Sequence, residues 1–90
     1  MPLEITPEAN ADLDRIFEFN AGWDLRWAEK VESRILERAR SLSITPRIGR
    51  PTAEPDVRCL SLPDIQYVIY YEPVEDRIRI LRIYSTKEIR

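Results

Sequence analysis

Residues 57–84, VRCLSLPDIQYVIYYEPVEDRIRILRIY, decide the fold of this 90-residue chain. Val57 to Leu62 alternates apolar and polar side chains, and Arg77 to Tyr84 alternates again. Between them, Ile65 to Glu72 is rich in β-branched and aromatic residues. Each segment predicts a strand. Pro63-Asp64 supplies a turn between the first two, and Pro73 through Arg77 makes a hairpin loop before the third. Parallel neighbours need a crossover of about a dozen residues or more, which these links cannot provide, so the three strands run antiparallel.

Working outward, Pro46-Arg47-Ile48-Gly49-Arg50-Pro51 precedes the strands. Prolines at both ends exclude regular helix and central strand, leaving a defined loop. Before it, Trp27, Ala28, Val31, Ile35, Ala39 and Leu42 form an apolar stripe at helical spacing, predicting a helix over about Trp23 to Ser43. Its other positions, Glu29, Lys30, Glu32, Arg34, Glu37 and Arg38, mix both signs, as a solvated face does. An earlier helix starts with Thr6 as N-cap, Pro7 at its first position and Glu8 in its first turn. Ala9, Leu13, Ile16 and Phe17 mark its apolar side, with Asp12, Asp14 and Glu18 expected on other faces; Asn20-Ala21-Gly22 ends it. So short a link predicts an antiparallel helix hairpin. Leu3-Glu4-Ile5 reads as a first strand. The expectation is one α+β domain over residues 1–90, in the order β-α-α-β-β-β. The helical hairpin packs on one face of a small antiparallel sheet, and the other face stays partly open to solvent or a partner.

Composition narrows the function. With 43% hydrophobic and 33% charged residues, the chain reads as globular. No apolar run approaches the roughly 20 residues of a membrane helix. The opening MPLEITPEAN lacks a basic start and a long apolar stretch, so no signal peptide is read and a cytoplasmic location is expected. Cys59 is the lone cysteine and there is no histidine. An internal disulfide is thereby excluded, a thiol–imidazole nucleophile is absent, and neither a zinc site nor any other metal or cofactor is expected. Cys59 reads as a small hydrophobe. Net charge is −2, with 6 basic and 9 acidic side chains in residues 1–45 and 8 basic and 7 acidic in residues 46–90. Avid non-specific nucleic-acid binding normally needs a basic domain, so only a local basic patch in the second half remains for that role.

Four stretches together resemble the ParE/RelE toxin superfamily of type II toxin–antitoxin systems: Leu13-Asp14-Arg15-Ile16-Phe17-Glu18-Phe19, Ile48-Gly49-Arg50-Pro51, Val57-Arg58-Cys59-Leu60 with Tyr67-Val68-Ile69-Tyr70-Tyr71, and Ile78-Arg79-Ile80-Leu81-Arg82-Ile83. The resemblance covers essentially the whole chain. It implies a RelE/ParE-like fold and a toxin neutralised by a cognate ParD-like or RelB-like antitoxin, whose disordered tail orders on binding. It leaves two branches. ParE-like toxins, associated with plasmid stabilisation, inhibit DNA gyrase without cutting nucleic acid. RelE-like toxins are metal-independent endonucleases acting on ribosome-bound mRNA.

The chemistry of the second branch can be weighed on this sequence. Cleavage beside a 2′-OH needs a group to take the 2′ proton, one to stabilise the phosphate and one to protonate the leaving oxygen. The candidates are Arg58, Arg82, Tyr84, Lys87 and Arg90, with Arg58, Arg82 and Tyr84 as the catalytic set if RNA is cut. Arg82 and Tyr84, two apart on one strand, point to one face. Without histidine the base is hard to supply, since an unperturbed tyrosine has a pKa near 10. Lysines are sparse as well: Lys30 and Lys87 only. The reading therefore favours the gyrase branch, with Arg47, Arg50, Arg58, Arg82 and Lys87 as target contacts. The simpler alternatives are structural: Arg82 pairing with Glu72 or Asp76, Arg58 holding the fold, Arg50 capping the long helix. Trp23 and Trp27, four apart, are either core or an exposed apolar patch that docks the antitoxin.

Overall fold

The structure, a computed structural model, describes residues 1–87; Arg90, among the cationic candidates, lies outside the described residues. Its elements are β1 (Leu3–Ile5), α1 (Pro7–Ala21), α2 (Leu25–Ser41), β2 (Arg50–Pro51), β3 (Arg58–Leu62), β4 (Tyr67–Val74) and β5 (Arg77–Ser85).

Both helices begin at side-chain caps. The Thr6 hydroxyl accepts from the Ala9 amide at 3.2 Å, and Pro7 opens α1. Asp24 accepts from the Arg26 and Trp27 amides at 2.8 and 3.4 Å. That cap sets the start of α2 at Leu25, so Trp23 falls in the interhelical turn rather than on the helix. The tryptophan pair therefore does not share a helical face.

The expected helix hairpin on an α+β sheet is present. The sheet order is β1-β5-β4-β3-β2, and β3, β4 and β5 are antiparallel as read. The outer strands modify the picture. β1 pairs parallel to β5, which is what two intervening helices permit, so the sheet is mixed. β2 is a two-residue edge strand inside the proline-bounded loop, pairing Arg50 with Cys59 and Pro51 with Arg58. An edge is where a strand proline is tolerated.

The register divides the sheet into two faces, because residues directly opposite one another share a side. Arg58, Tyr71 and Ile80 form one row, with Leu60, Ile69, Leu62 and Tyr67 beside it; this face meets the helices. Val31, Ile35 and Leu42 cover it, and Ile69, Tyr71, Ile78 and Ile80 are buried beneath them. The other face carries Cys59, Tyr70, Arg82, Ser61, Val68 and Tyr84, and among the described residues no second layer of elements covers it.

Tyr71 is the largest fully buried side chain, yet it ends in a hydroxyl. That hydroxyl donates to the Pro46 carbonyl and accepts from the Gly49 amide, both at 2.8 Å. Gly49 is buried against it: an added Cβ would lie 2.6 Å from the tyrosine oxygen and 2.9 Å from the Cys59 carbonyl. Glycine is required here by close approach. Gly49→Ala is expected to cost about 2 kcal/mol, the usual scale for overpacking. A urea melt checks this, and an unchanged midpoint would show that the loop moves aside freely.

Candidate functional site

The placement of the cationic residues turns on one irregularity. Regular alternation from Ile78 and Ile80 would carry Arg82 and Tyr84 onto the helix-facing side with Arg58. Instead Tyr71 faces Ile80 while Tyr70 faces Arg82, so Leu81 is an extra residue in β5. Such a bulge shifts every later side chain to the opposite face. Ile83 enters the core, and Arg82 and Tyr84 go to the open face. The Arg82 guanidinium carbon lies 4.7 Å from the centre of the Tyr84 ring, and that ring meets Tyr70 edge-on at 5.8 Å. Arg58 stays on the helix side, where its guanidinium donates to the Gly49 carbonyl at 2.7 Å and the Arg47 carbonyl at 3.3 Å. The structure thus brings Arg82 and Tyr84 together and leaves Arg58 apart, fastened to the loop.

Arg82 does not pair with Glu72 or Asp76. It binds Asp12, its Nε and Nη2 donating at 2.8 and 3.0 Å. Asp12 is buried, contrary to its expected outward position, and also accepts from the Ile83 amide at 2.9 Å and from Arg15 at 3.4 Å. The reason is the sheet edge. β1 accompanies β5 only as far as Ile80. Beyond that point α1 takes over: the Thr6 amide and hydroxyl donate to the Ile80 carbonyl at 3.2 and 2.7 Å, and Asp12 satisfies Ile83. Helical spacing carried the signal, since Ala9, Asp12, Leu13, Ile16 and Asn20 fall on one stripe and all are buried.

At the other end of the hairpin lies a groove of about 850 Å³, walled by Phe19, Asn20, Trp23, Trp27, Ile65 and Tyr67 and reached by Lys87 at its rim. Buried Asn20 organises it. Its amide nitrogen donates to the Ile16 carbonyl at 2.8 Å and the Tyr67 hydroxyl at 3.0 Å, and its oxygen accepts from the Trp27 indole at 3.0 Å. One side chain therefore ties both helices to β4. Trp27 is oriented by that bond, whereas Trp23 is 79% exposed and Phe19 64%. Sequence reading found the tryptophans but not Asn20, which it took for part of a helix-ending turn.

The remaining cationic candidates, Arg47, Arg50 and Lys87, are exposed. Among the described residues no group of three or more His, Cys, Asp or Glu could hold a metal ion, and no helix is long and apolar enough to cross a membrane.

Residues 3–90 match the family model described as the ParE toxin of the type II toxin–antitoxin system parDE. The chain belongs to the ParE toxin family. A chain of the chromosomal ParDE TA system from P. aeruginosa is 31% identical, over 94% of this chain and 95% of that one, with a TM-score of 0.85. The isolated E. coli RelE toxin shares the fold, with a TM-score of 0.62 at 14% identity over 93% of this chain and 82% of that one. No curated protein matches. The expected superfamily, its ParE-like branch and the α+β fold are thereby borne out. The family placement also gives the chain its class, a toxin of a type II toxin–antitoxin system.

Asp12 generates a prediction. Burial alone would raise its pKa, but the Arg82 hydrogen bond, the Ile83 amide, the Arg82 charge and Arg15 outweigh it and hold the carboxyl below its ordinary 3.8. A depressed folded-state value stabilises fully above the unfolded value and is lost as pH falls through the folded one. Asp12→Asn should therefore flatten the acid limb of the stability curve below about pH 4. At neutral pH it should cost about 2 kcal/mol, the scale of charge-assisted bonds. Denaturation at a series of pH values measures both; an unaltered acid limb would contradict the assignment.

Proposed function

We propose that this ParE-family toxin acts by binding DNA gyrase, without cutting RNA, and that a cognate ParD-like or RelB-like antitoxin neutralises it in the cytoplasm. The observation that carries the reading is the splitting of the cationic set across the sheet. RNA cleavage needs base, phosphate stabiliser and acid around one phosphate. Arg58 faces the helices and grips loop carbonyls, while Arg82 and Tyr84 lie on the opposite face with Arg82 held by Asp12. The chain has no histidine to serve as base.

One feature favours the second reading, a ribosome-dependent mRNA endonuclease: Arg82 stacked on Tyr84 beside Tyr70 is an aromatic and cationic surface on an uncovered face. A supercoiling assay with purified gyrase, run beside a ribosome-programmed mRNA cleavage assay, separates the two. The expected outcome is inhibited supercoiling and intact message. Cleaved message with unaffected gyrase would overturn the proposal.

For the antitoxin, the aromatic groove is the proposed seat. It is concave and mostly apolar, and its most exposed large apolar side chain, Trp23, is of a type that anchors interfaces. Trp23→Ala and Trp27→Ala are expected to weaken binding of the co-encoded antitoxin. For Trp23 the loss should be about 30-fold, the equivalent of a 2 kcal/mol anchor, with an unchanged melting temperature. Calorimetric titration measures it, and undiminished affinity in both variants would place the antitoxin elsewhere.

A further inference from the structure

Residues 38–53 contain Arg38, Arg40, Arg47 and Arg50 and no acidic side chain. The other 74 residues hold 10 basic and 16 acidic side chains, a net of −6. The positive charge of this acidic protein is therefore gathered at the end of α2 and in the loop that follows. Arg38 and Arg40 complement the helix dipole there and are accounted for in part by it. Arg47 and Arg50 are not: both are exposed, and neither forms an ion pair with a described residue.

The same loop exposes two large apolar residues, Ile44 at 84% and Ile48 at 51%. A loop that merely closed the core would turn isoleucines inward. This one is instead fixed from beneath by Tyr71, Gly49 and Arg58, so its backbone is held while Ile44, Arg47 and Ile48 stay exposed; Arg50, paired opposite Cys59, stands at the edge of the open sheet face. A rigid projection with arginines around apolar tips has the composition of an interface anchor.

We propose that the end of α2 and the 44–50 loop form a docking surface for an acidic protein surface with an apolar recess, and that this is how the toxin engages its target. The proposal rests on the reading above that the chain acts by binding. Charge complementarity selects an acidic partner. The isoleucines select protein over nucleic acid, because phosphates make no use of exposed apolar tips such as Ile44 and Ile48.

The test uses the full chain in three forms: Arg47→Glu/Arg50→Glu, Ile48→Asp, and a control, Arg26→Glu/Lys30→Glu, which makes the same charge change on exposed α2 positions. Growth arrest on titrated expression reads the target whatever it is; gyrase supercoiling reads one target; circular dichroism reads the fold. Both loop variants should need about tenfold more toxin for arrest, the effect of losing about 1.4 kcal/mol, with native spectra, while the control stays within about twofold. Arrest unchanged in either loop variant, or equally lost in the control, would overturn the proposal. So would duplex DNA binding by the wild type in a mobility shift that Arg47→Glu/Arg50→Glu abolishes and Ile48→Asp does not. A wild type that arrests growth without inhibiting supercoiling would remove gyrase as the target, while the growth readings still decide the loop.

Discussion

The Tyr71 side chain is fully buried, and its hydroxyl ends beneath the 46–49 loop, where an unsatisfied polar group costs about 1–3 kcal/mol. It is satisfied only because the 46–49 backbone crosses above it and supplies one donor and one acceptor. Much else follows from that requirement. The backbone must come close, so residue 49 must be glycine. Once Gly49 is seated, Arg50 and Pro51 lie beside Cys59 and Arg58 and become an edge strand. Arg58, pointing to the same face, finds the Gly49 and Arg47 carbonyls. A stretch that looks irregular in sequence is thus one of the better-fixed parts of the molecule.

The opposite edge of the sheet answers a different constraint. A three-residue β1 cannot cover a nine-residue β5. α1 finishes the task with side chains, Thr6 at the point where pairing stops and Asp12 at Ile83. Unpaired edges invite association with other chains, and here the edge is closed by the helix it packs against. The Leu81 bulge sits at this handover, where pairing with a strand gives way to pairing with a helix.

Most of the fold was legible because it depends on local periodicity: three alternating strands, two apolar stripes, Thr6-Pro7 at a helix start. What was not legible depends on distant parts meeting. The parallel pairing of β1 is decided by the helices between, and β2 is too short to have a pattern. Asp12 read as solvent-facing because charge outweighed position, although it falls on the buried stripe. The site was legible only in part. Arg82 and Tyr84 were correctly read as sharing a face. Which face they share, and that Arg58 is excluded from it, depends on one extra residue. The hint was the apolar spacing Ile78, Ile80, Ile83, which breaks strict alternation. Trp23 and Trp27 were read as partner-facing candidates, and both line a groove; the Asn20 amide that orients one of them had no signal beyond its place on the stripe.

We propose a toxin that binds its target through a clamped, basic and apolar loop. Amide hydrogen exchange on the protein alone and in complex with purified gyrase tests that claim most directly. Slowed exchange is expected across residues 44–48 in the complex, with no added protection on the open sheet face around Val68, Tyr70, Arg82 and Tyr84. Protection confined to that sheet face, with the loop unchanged, would contradict it.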